Sequence, residues 1–165
     1  NPARNEIIKN LTIAQDGNTL VLYQFVKKHG KVLYPLIKQA VDKDRKVWLV
    51  HGGTDTEERE FIRALTEKET NAIIIASYGT FSTGINIRNL HNIVFASPSK
   101  SRIRNLQSIG RGLRRGDKKV VCNLFDIGDD LSWKSHKNYT LNHLIERVKL
   151  YNEEEIGRAS CRERV

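Results

Sequence analysis

The fold is decided by residues 72–84, AIIIASYGTFSTG, where an unbroken apolar run of strand length meets a segment of glycine and hydroxyl side chains. A continuous run, without alternating polar residues, is typical of a strand that is covered on both faces of a sheet. With residues 72–77, five such runs occur, the others being residues 19–25 (TLVLYQF), 46–51 (KVWLVH), 92–97 (NIVFAS) and 120–126 (VVCNLFD). Helical segments separate them, so the sequence predicts an α/β fold with a doubly wound, mostly parallel sheet and helices on both faces.

Apolar residues at helical spacing mark the segments between the strands. The predicted helices cover residues 2–14, 28–43, 54–69, 101–111 and 138–153. The expected core face of the second helix consists of Val32, Leu33, Leu36, Ile37, Ala40 and Val41. In the third helix Thr54 stands three residues before Glu57, which is the spacing of a capping box, and Phe61, Ile62 and Leu65 form its expected core face.

Length and composition are those of an ordinary globular domain. The chain has 165 residues, of which 39% are hydrophobic and 28% charged. No run approaches the roughly 18 apolar residues of a membrane span, and no signal peptide opens the chain. The sequence therefore predicts a soluble protein of a reducing compartment, with no membrane partner. A formal charge of +9 indicates an anionic partner, with nucleic acid first.

The closing peptide, residues 155–165 (EIGRASCRERV), matches one reading frame of a common sequencing-library adapter. We therefore expect a non-native tail there and a single domain over residues 1–154. Without the tail the net charge falls from +9 to +8 and Cys122 is the one cysteine left.

Two loops after predicted strands suit a bound anion, because ligands of an open parallel sheet bind beyond the carboxyl ends of its strands. Six of the eight residues from Ser77 to Gly84 are small or hydroxylic, and Asn86 adds an amide for a ribose or for a hydrogen bond across a cleft. A tight connection with glycine at positive φ explains the same loop. Residues 51–54 (HGGT) form either an anion-receiving helix N-terminus or a plain left-handed turn capped by Thr54.

The segment from residue 98 to residue 119 carries eight Lys or Arg and a single acid. Two glycines interrupt it, which a solvated helix face does not need. Gln107, Arg111 and Arg114 are spaced four and three apart, so they align on one helical face and both guanidinium groups reach one bound anion. Two permanently charged forks suit a nucleoside triphosphate, whose charge develops during phosphoryl transfer.

The sequence contains no motif of several other classes of functional site. There is no G-x-x-x-x-G-K-[ST], no Cys/His set with metal spacing and no G-x-S-x-G. Asp126 at the end of the last strand is expected to be a plain strand-end carboxylate. The five histidines are scattered and are expected to be surface or capping residues.

Four segments together resemble the conserved motifs of superfamily 2 helicases. Residues 107–115 (QSIGRGLRR) resemble motif VI, and residues 76–86 (ASYGTFSTGIN) resemble motif V. Residues 19–25 are similar to motif IV, and residues 50–54 (VHGGT) to the motif IVa region. They follow in the right order at strand ends. The resemblance covers nearly all of residues 1–154 and implies the second, C-terminal RecA-like domain of such a motor, most similar to recombination and repair helicases of T-even-like phages.

The resemblance implies a role for each matched residue. Arg111 and Arg114 would be arginine fingers at the γ-phosphate of ATP, assisted by Gln107. Gly84 and Asn86 would lie at the nucleotide cleft, although many relatives have Asp where Asn86 stands. The residues implied for nucleic-acid binding are Ser77, Thr80, Lys27, Lys28, Arg102 and Arg104.

The resemblance also implies what the rest of the motor supplies. ATP and Mg²⁺ would be bound mainly by a first RecA-like domain, whose motifs I, Ia, II and III are not in this chain. This lobe would then be part of a longer ATP-dependent helicase in the host cytoplasm, and inactive alone. The implied substrates are single-stranded and branched DNA and RNA–DNA hybrids, in recombination, repair and replication.

Two other functions fit the same residues. A stand-alone nucleic-acid-binding module that has lost the motor predicts a DNA affinity that ATP and a first motor domain leave unchanged. A doubly wound enzyme for a small phosphorylated ligand predicts nucleotide binding by this chain alone, with little salt-sensitive DNA binding. The arginine-rich segment argues against the enzyme.

Overall fold

The computed structural model describes residues 1–84, 87, 89–97, 101, 106, 107, 109, 110, 121–130 and 139–154, with the backbone alone at 82–84. The elements within these residues are, in chain order, α1 (Pro2–Ile13), β1 (Thr19–Tyr23), a π-helical turn (Val26–Gly30), α2 (Lys31–Ala40), β2 (Val47–Val50), α3 (Thr56–Lys68), β3 (Ile73–Ser77), α4 (Tyr78–Gly84), β4 (Asn92–Phe95), β5 (Asn123–Asp126) and α5 (Tyr139–Glu153). The chain divides into two compact units, Asn1–Ile127 with the sheet and Gly128–Val165 with α5. None of the described helices has the length and apolar character needed to cross a membrane.

The five strands form one sheet in the order β2-β3-β1-β4-β5, and every neighbouring pair is parallel. In the centre Leu20 of β1 stands opposite Ile74 of β3 and Ile93 of β4. The predicted parallel α/β sheet is therefore confirmed, with strands one to three residues shorter than their apolar runs.

Both faces of the three central strands, β1, β3 and β4, are buried, as the continuous apolar runs predict. The edge strand β5 differs, since none of its four residues is buried. On one face Val21, Ile75 and Val94 join a core cluster with Ile8 of α1 and Leu33 of α2. The residues between them along the strands point to the other face and are equally buried. The connection from β1 to β2 runs one way across the sheet and the connection from β2 to β3 runs back. Because such crossovers are right-handed, α2 and α3 lie on opposite faces.

The helix predicted over residues 28–43 is wrong in its bounds. The chain makes a π-helical turn at Val26–Gly30, α2 covers Lys31–Ala40, and Val41 is already extended. The buried face of α2 is also narrower than predicted. Leu33 and Ile37, one turn apart, are buried, whereas Val32 and Ala40 are exposed.

The start of α3 also differs from the prediction. Its N-cap is Asp55, whose carboxylate accepts a hydrogen bond from the Glu58 backbone N–H at 2.7 Å. The Thr54 hydroxyl instead accepts from the His51 N–H at 3.0 Å. Phe61, predicted in the core, is 62% exposed, because Ile62 faces the sheet and adjacent positions on a helix point about 100° apart.

Gly30 is required by the close approach of the π-helical turn to β1. A Cβ at this position would lie 2.4 Å from Cζ of Tyr23, which is fully buried and donates its hydroxyl hydrogen to the Val50 carbonyl at 3.4 Å. We expect Gly30→Ala to lower the free energy of unfolding by about 1–3 kcal/mol, the usual cost of overpacking a core. Urea unfolding measures this. Gly79→Ala is the control, since its Cβ meets nothing within 4 Å, and equal unfolding free energies in both variants would contradict the assignment.

Candidate nucleotide and nucleic-acid site

All five strands end at one edge of the sheet because they are parallel, and we call this the carboxyl edge. The segments that leave this edge include the π-helical turn after β1, the 51–54 turn after β2 and α4 after β3. The segments that resemble motifs IVa and V leave this edge, and the segment that resembles motif IV (residues 19–25) ends at it, just before the π-helical turn. The sheet topology therefore brings three of the four motif-like segments to one edge.

The hydroxyl-rich segment after β3 is helical from its first residue. The Ser77 Oγ lies 2.8 Å from the Thr80 Oγ1 and accepts the Thr80 backbone N–H at 3.3 Å. Both residues are buried, at 7% and 4% exposure. Gly79 is part of α4, so a turn with Gly79 at positive φ is the wrong interpretation of this segment. The two predicted site residues are thus brought together, with their hydroxyls bonded to each other at the start of α4.

Lys27 and Lys28 lie exposed in the π-helical turn after β1. The next residue, His29, is half-buried and its Nδ1 lies 2.7 Å from the Ser97 Oγ after β4. Burial, followed by the charges of Arg4 and Lys28, lowers the pKa of His29, so the ring is neutral at pH 7. His29 thus links the segment with the two lysines to the strand end that precedes the arginine-rich segment.

Two contacts at the carboxyl edge, one of His29 and one of Arg4, were not predicted from the sequence. His29 is not the plain surface or capping residue expected of the scattered histidines, and its partner Ser97 lies 68 residues away. Arg4 of α1 reaches the carboxyl edge, where its guanidinium donates to the Ala96 carbonyl and, at 3.2 Å, to the Ile127 carbonyl. No pattern distinguishes Arg4 from the other basic residues of the chain, so only the fold assigns this role.

Hydrogen bonds within the 51–54 turn and from Arg59 hold this turn closed. The His51 Nδ1 accepts from the Gly53 N–H at 3.0 Å, and the Thr54 N–H donates to the His51 carbonyl at 2.9 Å. Arg59 adds a bond from its Nε to the Thr54 carbonyl at 2.8 Å. Because these backbone donors are occupied, they are not available to an anion. Gly17 is the positive-φ glycine among the described residues, so a left-handed turn at 51–54 is also wrong.

The remaining predicted residues are only partly within the structure. Gln107 is helical and exposed, and Gly84 is the last residue of α4. The residues outside the described ranges are Asn86, Arg102, Arg104, Arg111 and Arg114. Their positions relative to the carboxyl edge stay predictions. Within the described part of the chain, no three His, Cys, Asp or Glu side chains group together as a metal site.

Residues 3–116 match the family model described as the helicase conserved C-terminal domain. The chain is 39% identical to the ATP-dependent DNA helicase uvsW of Enterobacteria phage T4, over 93% of this chain and 32% of that protein. It is 29% identical to a putative ATP-dependent RNA helicase of African swine fever virus, over 79% of this chain and 23% of that protein. The chain thus spans about a third or less of the length of these curated relatives.

Solved structures resemble this chain in fold. The crystal structure of T4 UvsW matches with a TM-score of 0.73 at 39% identity, covering 92% of this chain and 32% of that one. The C-terminal domain of the DEAD-box protein Dbp5 matches with a TM-score of 0.68 at 19% identity, covering 93% and 81%. The predicted RecA-like α/β fold is confirmed by these likenesses.

Proposed function

Because this chain belongs to the helicase conserved C-terminal domain family, we propose that it is the second RecA-like lobe of an ATP-dependent helicase or translocase. The proposed lobe is residues 1–154, and residues 155–165 are a non-native tail. The observation that carries the proposal is the sequence Q-x-x-G-R-x-x-R at residues 107–114, which lies inside the matched range 3–116. In this proposal the lobe completes an ATP pocket that a first lobe mainly forms.

In the proposed pocket Arg111 and Arg114 contact the γ-phosphate of ATP and Gln107 assists them. Guanidinium groups at this point stabilise the charge that develops on the transferred phosphoryl group. Gly84 and Asn86 border the nucleotide. Mg²⁺ and most contacts to ATP come from the first lobe, so hydrolysis requires that the two lobes close. This lobe alone is therefore inactive.

The proposed nucleic-acid contacts use the carboxyl edge and the basic segment. Lys27 and Lys28 are exposed cations that follow β1, and they bind phosphates of the nucleic-acid strand. The Ser77–Thr80 pair links the nucleotide cleft to this strand through the start of α4. The basic residues Arg102 and Arg104 add further phosphate contacts. Alternate closing and opening of the lobes then moves the motor along the strand.

The proposed substrates are single-stranded and branched DNA and RNA–DNA hybrids, in recombination, repair and replication, in the cytoplasm of a phage host. DNA is favoured because the relative named as a DNA helicase covers 93% of the chain at 39% identity. The relative named as a putative RNA helicase covers 79% at 29%.

The proposal predicts that the purified chain binds single-stranded DNA in a salt-dependent manner without hydrolysing ATP. Each neutralised phosphate adds about 0.7 to the slope of log Kd against log salt concentration. The double variant Lys27→Ala/Lys28→Ala is expected to reduce that slope by about 1.4. Fluorescence anisotropy with an oligonucleotide at several salt concentrations measures it.

The matched control is Lys43→Ala/Lys68→Ala. It removes two exposed lysines that lie near the amino ends of β2 and β3. Its slope is expected to stay that of the unchanged chain. Equal slopes in the two double variants would contradict the proposal that the nucleic-acid strand binds at the carboxyl edge. ATP hydrolysis by the chain alone would contradict the two-lobe proposal.

A further inference from the structure

Phe25 is an exposed aromatic residue at the carboxyl edge. It follows β1, whose five residues are all buried, yet 52% of its own surface is exposed. One side of its ring contacts His29, with centroids 5.6 Å apart and planes tilted by 59°. About half of the Phe25 surface is therefore free to contact a ligand, and two exposed lysines follow it in the chain.

Hydrogen bonds hold the backbone of Phe25 in place, and its ring lies against His29. Its backbone is extended, and its carbonyl accepts the N–H groups of His29 at 2.9 Å and Gly30 at 3.3 Å. His29 is itself fixed by the hydrogen bond to Ser97. A ring on a fixed backbone, already packed against His29, loses less conformational entropy when a flat group packs on it than a fully mobile side chain would.

We propose that Phe25 is a stacking platform for one base of a single-stranded nucleic acid. The inference rests on the proposed function and names the form of the strand that it binds. Lys27 and Lys28 lie two and three residues further along the chain and are exposed, so they meet the phosphates that flank the stacked base. A base within a duplex has both faces covered by its neighbours, so the platform selects unpaired strands.

Charge decides between a nucleic acid and an apolar protein surface as the occupant. An apolar protein surface over Phe25 offers no anion to Lys27 and Lys28, the exposed cations two and three residues further along the chain. A nucleic-acid strand supplies an aromatic face and anions in alternation. Aromatic platforms beside basic grooves are the common means of binding single strands without sequence preference.

The test compares two fluorescein-labelled oligonucleotides of equal length, one of thymidines and one of abasic sites, in anisotropy titrations with the purified chain. Phe25→Ala is expected to raise Kd for the thymidine strand by about 5- to 150-fold, the loss of one base–aromatic stack. Kd for the abasic strand is expected to change less than about twofold, because that strand has no base to stack. Phe25→Leu keeps an apolar side chain without an aromatic face, so its Kd for the thymidine strand is expected to rise as much as that of Phe25→Ala. Phe25→Trp is expected to keep the Kd of the unaltered chain.

Phe61→Ala is the matched control, since Phe61 is similarly exposed on α3, and both Kd values are expected to stay unchanged. An unchanged Kd of Phe25→Ala for thymidine, or an equal loss on both oligonucleotides, would overturn the inference while leaving the proposed function intact. If the unaltered chain binds neither oligonucleotide, the proposed function and the inference both fail. Loss of binding to a separately prepared first lobe, with thymidine binding unchanged, would assign Phe25 to the contact between lobes and also overturn the inference.

Discussion

Replacing Arg111 or Arg114 with alanine in the proposed two-lobe helicase is expected to lower ATP turnover by about 10³–10⁵-fold. ATP affinity is expected to stay within a few-fold, because in the proposed pocket the first lobe makes most of the contacts to the nucleotide. A loss in turnover with little loss in binding is the sign of an interaction made mainly in the transition state. Steady-state hydrolysis and nucleotide titration, each with saturating DNA, measure the two quantities.

Arg115→Ala is the control for this prediction. It removes the same charge from the same segment but lies outside the Q-x-x-G-R-x-x-R pattern, so turnover is expected to change little. Arg111→Lys is expected not to restore turnover, because an ammonium group lacks the planar fork of a guanidinium. Normal turnover in both finger variants would refute their assignment.

Asn18→Ala is expected to cause the largest loss of stability. The buried Asn18 amide donates to the carbonyls of Thr66 at 3.1 Å, Glu69 at 2.8 Å and Asn89 at 2.9 Å. Its oxygen accepts from the Ala72 N–H at 2.8 Å. Because the amide NH₂ has two hydrogens, it makes two full hydrogen bonds shared among the three carbonyls. With the Ala72 bond alanine removes three hydrogen bonds, and at about 1 kcal/mol each the loss is about 3 kcal/mol. This is a large part of the stability of a domain.

Urea unfolding followed by circular dichroism measures this loss. Asn18→Asp is expected to be as damaging, because a carboxylate keeps the acceptor for Ala72 but donates to none of the three carbonyls. Asn10→Ala, at an exposed position of α1, is the control and is expected to leave stability nearly unchanged. An unfolding free energy of Asn18→Ala within about 1 kcal/mol of the unaltered chain would contradict the assignment.

The parallel sheet was predictable because its signal is local. Runs such as residues 72–77 are apolar without alternation, and the central strands β1, β3 and β4 are buried on both faces as this pattern requires. The start of α3 was not predictable in the same way. Thr54 and Asp55 are both good caps, and only the structure shows that Asp55 takes this position while Thr54 accepts from His51.

The candidate site was predictable as a set of residues but not as a set of contacts. The motif-like segments and their order can be seen in the sequence alone, and they indicate the family. The bond between His29 and Ser97 joins residues 68 positions apart, so it exists only once β1 and β4 are neighbours. The pairing of Ser77 with Thr80 is local, but it depends on α4 beginning directly at the end of β3.

A crystal structure of the complete helicase with DNA, ADP and beryllium fluoride is the most direct measurement of the proposed two-lobe pocket. Beryllium fluoride stands in for the γ-phosphate. The account predicts that the guanidinium groups of Arg111 and Arg114 lie about 3 Å from the fluoride atoms, as hydrogen-bond donors across the contact between lobes. Both side chains pointing into solvent, away from a bound nucleotide and closed lobes, would contradict it.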